Sequence, residues 1–156
     1  MSLVIGDPAP DFSLPHRPGH PPVSLSALRG RKVVLLFVPL AFSTVCTREL
    51  CAVRDDFDAY RDLDAEVLGI SVDSPFALQA WAELQGIAFP LLSDFNRTTS
   101  RAYGALYDDY FGLQGVSKRA AFVVDREGRV AFAEVLEDSG NLPDLAAIRS
   151  ILAQLP

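Results

Sequence analysis

The chain has 156 residues, 49% of them hydrophobic and 22% charged, which suits one domain that buries most of its apolar surface and excludes a disordered segment. Its 20 acidic and 14 basic residues give a net charge of -6, and no basic cluster is longer than Arg29 to Lys32, so nucleic acid is not an expected partner. The longest apolar run, Val33 to Val38, is far short of the ~20 residues that cross a bilayer, and no membrane partner is expected.

Along the chain, the first residues (MSLVIGDPAPDF) lack the basic start and the apolar stretch of roughly 7–15 residues of a secretory signal, which makes the cytoplasm the expected compartment. Residues 10–28 hold five prolines and a glycine between short apolar fragments, a pattern for an arm or short hairpin and not for a helix. Lys32 to Val38 is β-branched and almost continuously apolar, as in a central strand buried on both faces. From Thr47 the apolar positions Leu50, Val53, Phe57, Tyr60 and Leu63 follow helical spacing. Glu66 to Val72 reads as the next strand. Pro75 to Gln85 reads as a helix capped by Ser74, begun on Pro75 and stopped by Gly86.

A short strand near Leu91 and Leu92, a helix near Thr98 to Tyr103, and strands at Ala120 to Asp125 and Arg129 to Val135 follow. The last two are joined by the turn residues Asp125 to Gly128 into an antiparallel hairpin. A final helix is expected from about Pro143 to Leu155. The order βαβαββα, with a mixed central sheet, helices on both faces and an N-terminal extension, is that of a thioredoxin-like α/β fold, with residues 1–156 as its single domain.

The two cysteines, Cys46 and Cys51, lie where the central strand gives way to its helix. In a reducing compartment a cysteine pair is more often reactive than structural. Cys46 falls at or beside the first helical turn, where free backbone N–H groups and the helix dipole favour an anion, the nucleophilic form of a thiol. It also fits the apolar stripe with Leu50, Val53 and Phe57, so a small buried core residue is the competing reading. Cys51 shares the opposite, polar face with Arg54, Asp55, Asp58 and Asp62, where a structural cysteine has little to pack against.

The segment Pro39-Leu-Ala-Phe-Ser43-Thr-Val-Cys46 resembles the peroxiredoxin active-site pattern: Pro, three residues, Thr or Ser, two residues, Cys. Phe89 to Asp94, Tyr103-Gly104 and Lys118 to Asp125 also resemble peroxiredoxin segments, so the likeness covers nearly the whole chain. The middle and C-terminal parts are similar to the AhpE-like group. Cys51, five residues after Cys46, resembles the resolving position of the Q-type group (bacterioferritin comigratory protein). The resemblance implies a thiol peroxidase for hydrogen peroxide and organic hydroperoxides that uses no cofactor and no metal. Cys46 would be the peroxidatic nucleophile, and Arg119 would lie against it to hold thiolate and peroxide. Ser43 would hold the same oxygens where threonine is commoner, Pro39 would shield the pocket, and Glu49 would anchor Arg119 or a second arginine. Cys51 would resolve the oxidised Cys46 as an intramolecular disulfide. The reductant would be a thioredoxin-like or glutaredoxin-like protein or a low-molecular-weight thiol, and a homodimer is implied.

Three other readings stay open. In the first, the peroxidase works with one cysteine and an external thiol resolves Cys46. A thioredoxin-type disulfide oxidoreductase needs Cys-x-x-Cys, whereas four residues separate these cysteines. A non-catalytic binding module would leave Cys46 inert. Trp81 reads as core. His16 and His20 are four residues apart among prolines and a glycine, with no third ligand close in sequence, and are not expected to hold a metal.

Overall fold

The computed structural model describes residues 2–156. The proline-rich start takes the hairpin form: β1 (Ser13–Leu14) pairs antiparallel with β2 (Val23–Ser24), and a 3-10 turn at Ser26–Leu28 follows. Next come β3 (Lys32–Phe37), α1 (Thr44–Asp55), α2 (Phe57–Asp62), β4 (Ala65–Ser71), α3 (Pro75–Gln85), β5 (Leu91–Ser93) and α4 (Thr98–Ala102). The chain ends with β6 (Arg119–Val124), β7 (Val130–Leu136) and α5 (Leu145–Gln154).

The five later strands form one mixed sheet in the order β5-β4-β3-β6-β7. Helical crossovers join β3, β4 and β5 in parallel, as parallel neighbours require, while β6 runs antiparallel to β3 and forms a hairpin with β7. This is the expected thioredoxin-like arrangement with its N-terminal extension. Every residue of β3 is buried, as a central strand covered on both faces must be. Its side chains divide by alternation. Val34 and Leu36 enter one core with Leu50, Val53, Leu78, Trp81, Ile148 and Leu152, whereas Val33, Leu35 and Phe37 enter the other with Phe12, Leu14 and Tyr103. Helices α1, α2, α3 and α5 therefore cover one face, and the N-terminal hairpin and α4 region the other.

The structure corrects the helix expected from Thr47 to Leu63. It starts three residues earlier, at Thr44, and breaks at Asp56, whose φ of −104° and ψ of 17° leave the helical region. Asp56 leaves the helix and stands at the start of α2 without a side-chain cap bond, its carboxylate 3.7 Å from Arg149 Nη1 of α5; a short acid of low helix propensity suits such a junction. The apolar stripe continues across the break, so periodicity could not reveal it. By contrast α3 has the bounds its signals specify: Ser74 accepts from Ala77 N–H at 3.2 Å, Pro75 is its first residue, and Gly86 closes it with φ 65°.

Lys32 is buried at the start of β3, and its Nζ donates to the carbonyls of Leu152 (2.8 Å) and Leu155 (3.4 Å). A cation thus meets the free carbonyls at the C-terminal end of α5.

Candidate active site

Ser43 precedes α1 in an extended conformation (φ −76°, ψ 152°), which makes Cys46 the third helical residue, inside the turn whose N–H groups lack helical partners. Cys46 is fully buried beneath that turn. Glu49 lies three residues on, on the same side of the helix, and is also fully buried. Across from them is the first residue of β6. Ala121 and Val123 face the core beneath α1, so Arg119, two residues before Ala121, points to the same side.

Arg119 is only 1% exposed, and each nitrogen of its guanidinium has a separate partner. Nη2 donates to Cys46 Sγ at 3.2 Å, Nη1 to Glu49 Oε1 at 3.0 Å, and Nε to the Ser139 carbonyl at 3.0 Å. Glu49 Oε2 is buried with no hydrogen-bond partner among the described residues. Burial accordingly pushes the Glu49 carboxyl up to about 7, against the downward pull of Arg119. Burial opposes the Arg119 charge too, but the attraction of Cys46 and Glu49 outweighs it and holds the guanidinium above its ordinary range. The site therefore sets a buried cation against a buried sulfur.

Of the other expected residues, Pro39 is buried just beyond β3. Ser43 is half-buried, and its hydroxyl donates to the Leu40 carbonyl at 2.7 Å. The hydroxyl thus braces the turn that delivers Cys46 and keeps its oxygen lone pairs available. Pro39, Ser43, Cys46 and Glu49 all belong to the β3-to-α1 connection and the first turns of α1, and Arg119 joins them from β6.

Cys51 is not with them. Both thiols are free and both lie in α1, but Cys51 is half-buried against the end of α3, with Sγ 3.5 Å from Gln85 Oε1. Arg54, one of the residues expected beside it, donates through Nη1 to the Gln85 carbonyl. Asp55 and Asp58 are exposed, and the break at Asp56 puts Asp58 and Asp62 on α2, so the polar face expected around Cys51 is not continuous. Trp81 is fully buried in the core, and its Nε1 donates to Thr47 Oγ1 at 3.2 Å. His16 and His20 face each other at 5.9 Å between ring centroids, in the loop joining β1 to β2. Among the described residues no group of three or more His, Cys, Asp or Glu is placed to hold a metal ion.

Residues 5–133 match the AhpC/TSA family description. The chain belongs to the AhpC/TSA family of peroxiredoxins. Over 156 residues the peroxiredoxin is 38% identical to alkyl hydroperoxide reductase E of Mycobacterium bovis, with 98% of each chain covered. Its fold superposes on the crystal structure of peroxidoxin BcpB from Mycobacterium tuberculosis with a TM-score of 0.82 and 32% identity, covering 97% of this chain and 95% of the other. A peroxiredoxin-like protein from Aquifex aeolicus shares the fold more closely, at a TM-score of 0.90 over 100% of this chain and 90% of the other, with 23% identity. As a peroxiredoxin, the protein is a peroxidase enzyme. None of its described helices is long and apolar enough to cross a membrane.

Two supports of this candidate site lie on residues outside the expected set. Asp73 Oδ2 accepts from Ala41 N–H at 2.8 Å and from Ser71 Oγ at 2.7 Å, while Ser93 Oγ donates to the Asp73 carbonyl at 2.6 Å. This polar cluster at the C-terminal ends of β4 and β5 holds the loop before Cys46. Its signal was present in Ser71-Val-Asp73-Ser74, since the ends of parallel strands are where such folds build sites. The second support is the Ser139 carbonyl, which no side-chain pattern marks.

Proposed function

We propose that Cys46 is the peroxidatic nucleophile for hydrogen peroxide and organic hydroperoxides, and that Arg119, Glu49, Ser43 and Pro39 form its surroundings. The observation that carries this reading is the 3.2 Å contact of Arg119 Nη2 with the Sγ of a fully buried Cys46 in the first helical turn. The Arg119 cation and the first-turn N–H groups balance the negative charge of the thiolate. When Cys46 attacks one peroxide oxygen, the O–O bond breaks, sulfur is oxidised to sulfenic acid, and the other oxygen leaves as alcohol or water after taking a proton. Arg119, and Ser43 through its hydroxyl, meet the charge that grows on the leaving oxygen. Pro39 keeps water out, and Glu49 holds the guanidinium.

Cys51 then attacks the Cys46 sulfenic acid, forming a disulfide and releasing water, and a thioredoxin-like or glutaredoxin-like dithiol in the cytoplasm reduces it by exchange. Within regular α1 the two residues are separated by roughly 7.5 Å of rise and about 140° of rotation, beyond the ~7 Å Cα limit for a disulfide. Resolution therefore requires part of α1 to unwind. The contact of Cys51 with Gln85 favours the second reading, in which Cys51 stays docked and a low-molecular-weight thiol resolves Cys46.

Intact-mass measurement after one equivalent of peroxide separates the two. The disulfide mechanism gives a loss of two hydrogens; a lasting sulfenic acid or an adduct with added thiol assigns resolution to an external thiol. Cys46→Ser abolishes peroxide consumption, whereas Cys51→Ser still completes its first turnover. If Cys46→Ser consumes peroxide at the wild-type rate, Cys46 is not the nucleophile.

A further inference from the structure

The third contact of Arg119 depends on a segment outside the Cys46 loop and α1. Ser139 lies beyond the end of β7, so no ladder bond fixes its carbonyl. The turn is instead tied to the excursion between α4 and β6. Tyr107 OH donates to the Glu137 carbonyl at 2.7 Å, and Tyr110 OH bonds Ser139 Oγ at 3.0 Å. The two tyrosine rings stack, with centroids 4.9 Å apart and planes 26° from parallel. Lys118, the neighbour of Arg119, donates to Glu137 Oε1 at 2.5 Å and lies 5.8 Å from the centroid of the Tyr107 ring. The excursion is itself braced: Tyr107 N–H donates to the Val116 carbonyl at 2.8 Å, and Tyr110 N–H to the Leu113 carbonyl at 2.7 Å. It leads directly into Arg119.

We propose that Tyr110, with its stacked partner Tyr107, is a positioning residue for Arg119. The pair clamps the turn at residues 137–139 so that the Ser139 carbonyl holds Nε and sets the plane of the guanidinium. A guanidinium presents its donors as a rigid planar fork. With Nε fixed and Nη1 on Glu49, Nη2 has one direction left, which is toward Cys46 and the oxygen that accepts charge. Without the clamp, the turn and its carbonyl can drift, and the fork can pivot about the Glu49 contact. A displaced charge-stabilising donor lowers the rate because its alignment with the transition state is lost. The inference rests on the proposed role of Arg119.

The test is the rate constant for Cys46 oxidation by peroxide, measured by rapid mixing and paired with the rate of Cys46 alkylation across mildly acidic to neutral pH. Tyr110→Phe and Ser139→Ala each remove the same hydrogen bond, and each lowers the oxidation rate by about 5-fold. The double variant is no slower than either single one, and Ser139→Thr, which keeps the hydroxyl, restores the rate. The alkylation profile moves with the oxidation rate, as a merely structural role would not make it do. Arg119→Lys, the control for the underlying reading, lowers the oxidation rate by roughly 100-fold. Wild-type rates in Tyr110→Phe and Ser139→Ala, with Arg119→Lys impaired, overturn the clamp and leave the role of Arg119 standing. Multiplying losses in the double variant also overturn it, because the two residues would then act separately. A wild-type rate in Arg119→Lys overturns the Arg119 reading and the clamp together. Should Tyr110→Phe not fold, the comparison of Ser139→Ala with Ser139→Thr decides the same question.

Discussion

Glu49 makes the site sensitive to pH. Its carboxyl is raised from an ordinary 4.5 to about 7, chiefly by burial, so between those values the folded protein holds a proton that the unfolded chain has released. Stability then falls as pH rises through that interval and levels off above about 7, where the carboxylate is ionised in both states. Glu49→Gln removes this dependence. In urea unfolding at pH 5 and pH 8, the variant should gain stability relative to the wild type as pH rises; parallel curves for the two proteins would reject the assignment. At this scale the sequence was legible wherever chemistry needs a particular side chain at a particular spacing. Cys46, Ser43, Glu49 and Arg119 could be named as candidates because Pro39-x-x-x-Ser43-x-x-Cys46 and the Lys118-Arg119 strand start have recognisable form, and the structure brings Cys46, Glu49 and Arg119 into contact. The Ser139 carbonyl could not be, because a backbone oxygen is carried by every residue and only the path of the chain decides which one meets Arg119.

Helix α1 joins the Cys46 turn to a contact with α3. Three bonds tie the two helices: Thr47 with Trp81, Cys51 with Gln85, and Arg54 with the Gln85 carbonyl. In the disulfide mechanism the Cys51 contact must open before Cys51 reaches Cys46, so it acts as a latch on resolution. Gln85→Ala removes the side-chain partner of Cys51 and leaves the Arg54 contact to the backbone in place. Disulfide formation after a single peroxide addition should therefore be faster in Gln85→Ala. The only tryptophan, Trp81, reports it, because its Nε1 bond ends on Thr47, the residue after Cys46. Its fluorescence should change in step with the disulfide seen by mass. An unchanged or slower rate would mean that the latch does not limit resolution. Boundaries set by local chemistry, such as Ser74, Pro75 and Gly86 around α3, were readable. The break at Asp56 was not, since Val53, Phe57 and Tyr60 keep a helical spacing across it, and the docking of Cys51 on Gln85 depends on how two helices pack.

The molecule as a whole is arranged so that the two sides of one sheet are filled independently by alternate residues of β3, while Arg119 crosses from β6 to the α1 side. The pattern of strands and helices could be inferred because apolar runs and turn residues mark each element, and parallel β3, β4 and β5 leave few ways to order them. The tie between β3 and the last helix was hidden, because a lysine at the start of an apolar strand reads as a residue at the solvent boundary. Lys32 is 6% exposed, and its Nζ joins the carbonyls of Leu152 and Leu155 across 120 and 123 residues of sequence. Lys32→Met keeps much of the apolar stem but leaves the Leu152 carbonyl without this donor in a buried setting. The expected loss is about 1–3 kcal/mol of unfolding free energy, measured by urea denaturation. It should come with an unchanged rate of peroxide reduction, because α5 packs against β6 and β7 and, among the described residues, supplies none of the hydrogen-bond partners of Arg119, which are Cys46, Glu49 and Ser139. Wild-type stability in Lys32→Met would show that removing the ammonium's desolvation cost offsets the lost bonds. A fall in the peroxide rate would instead couple the closure of α5 to the active site.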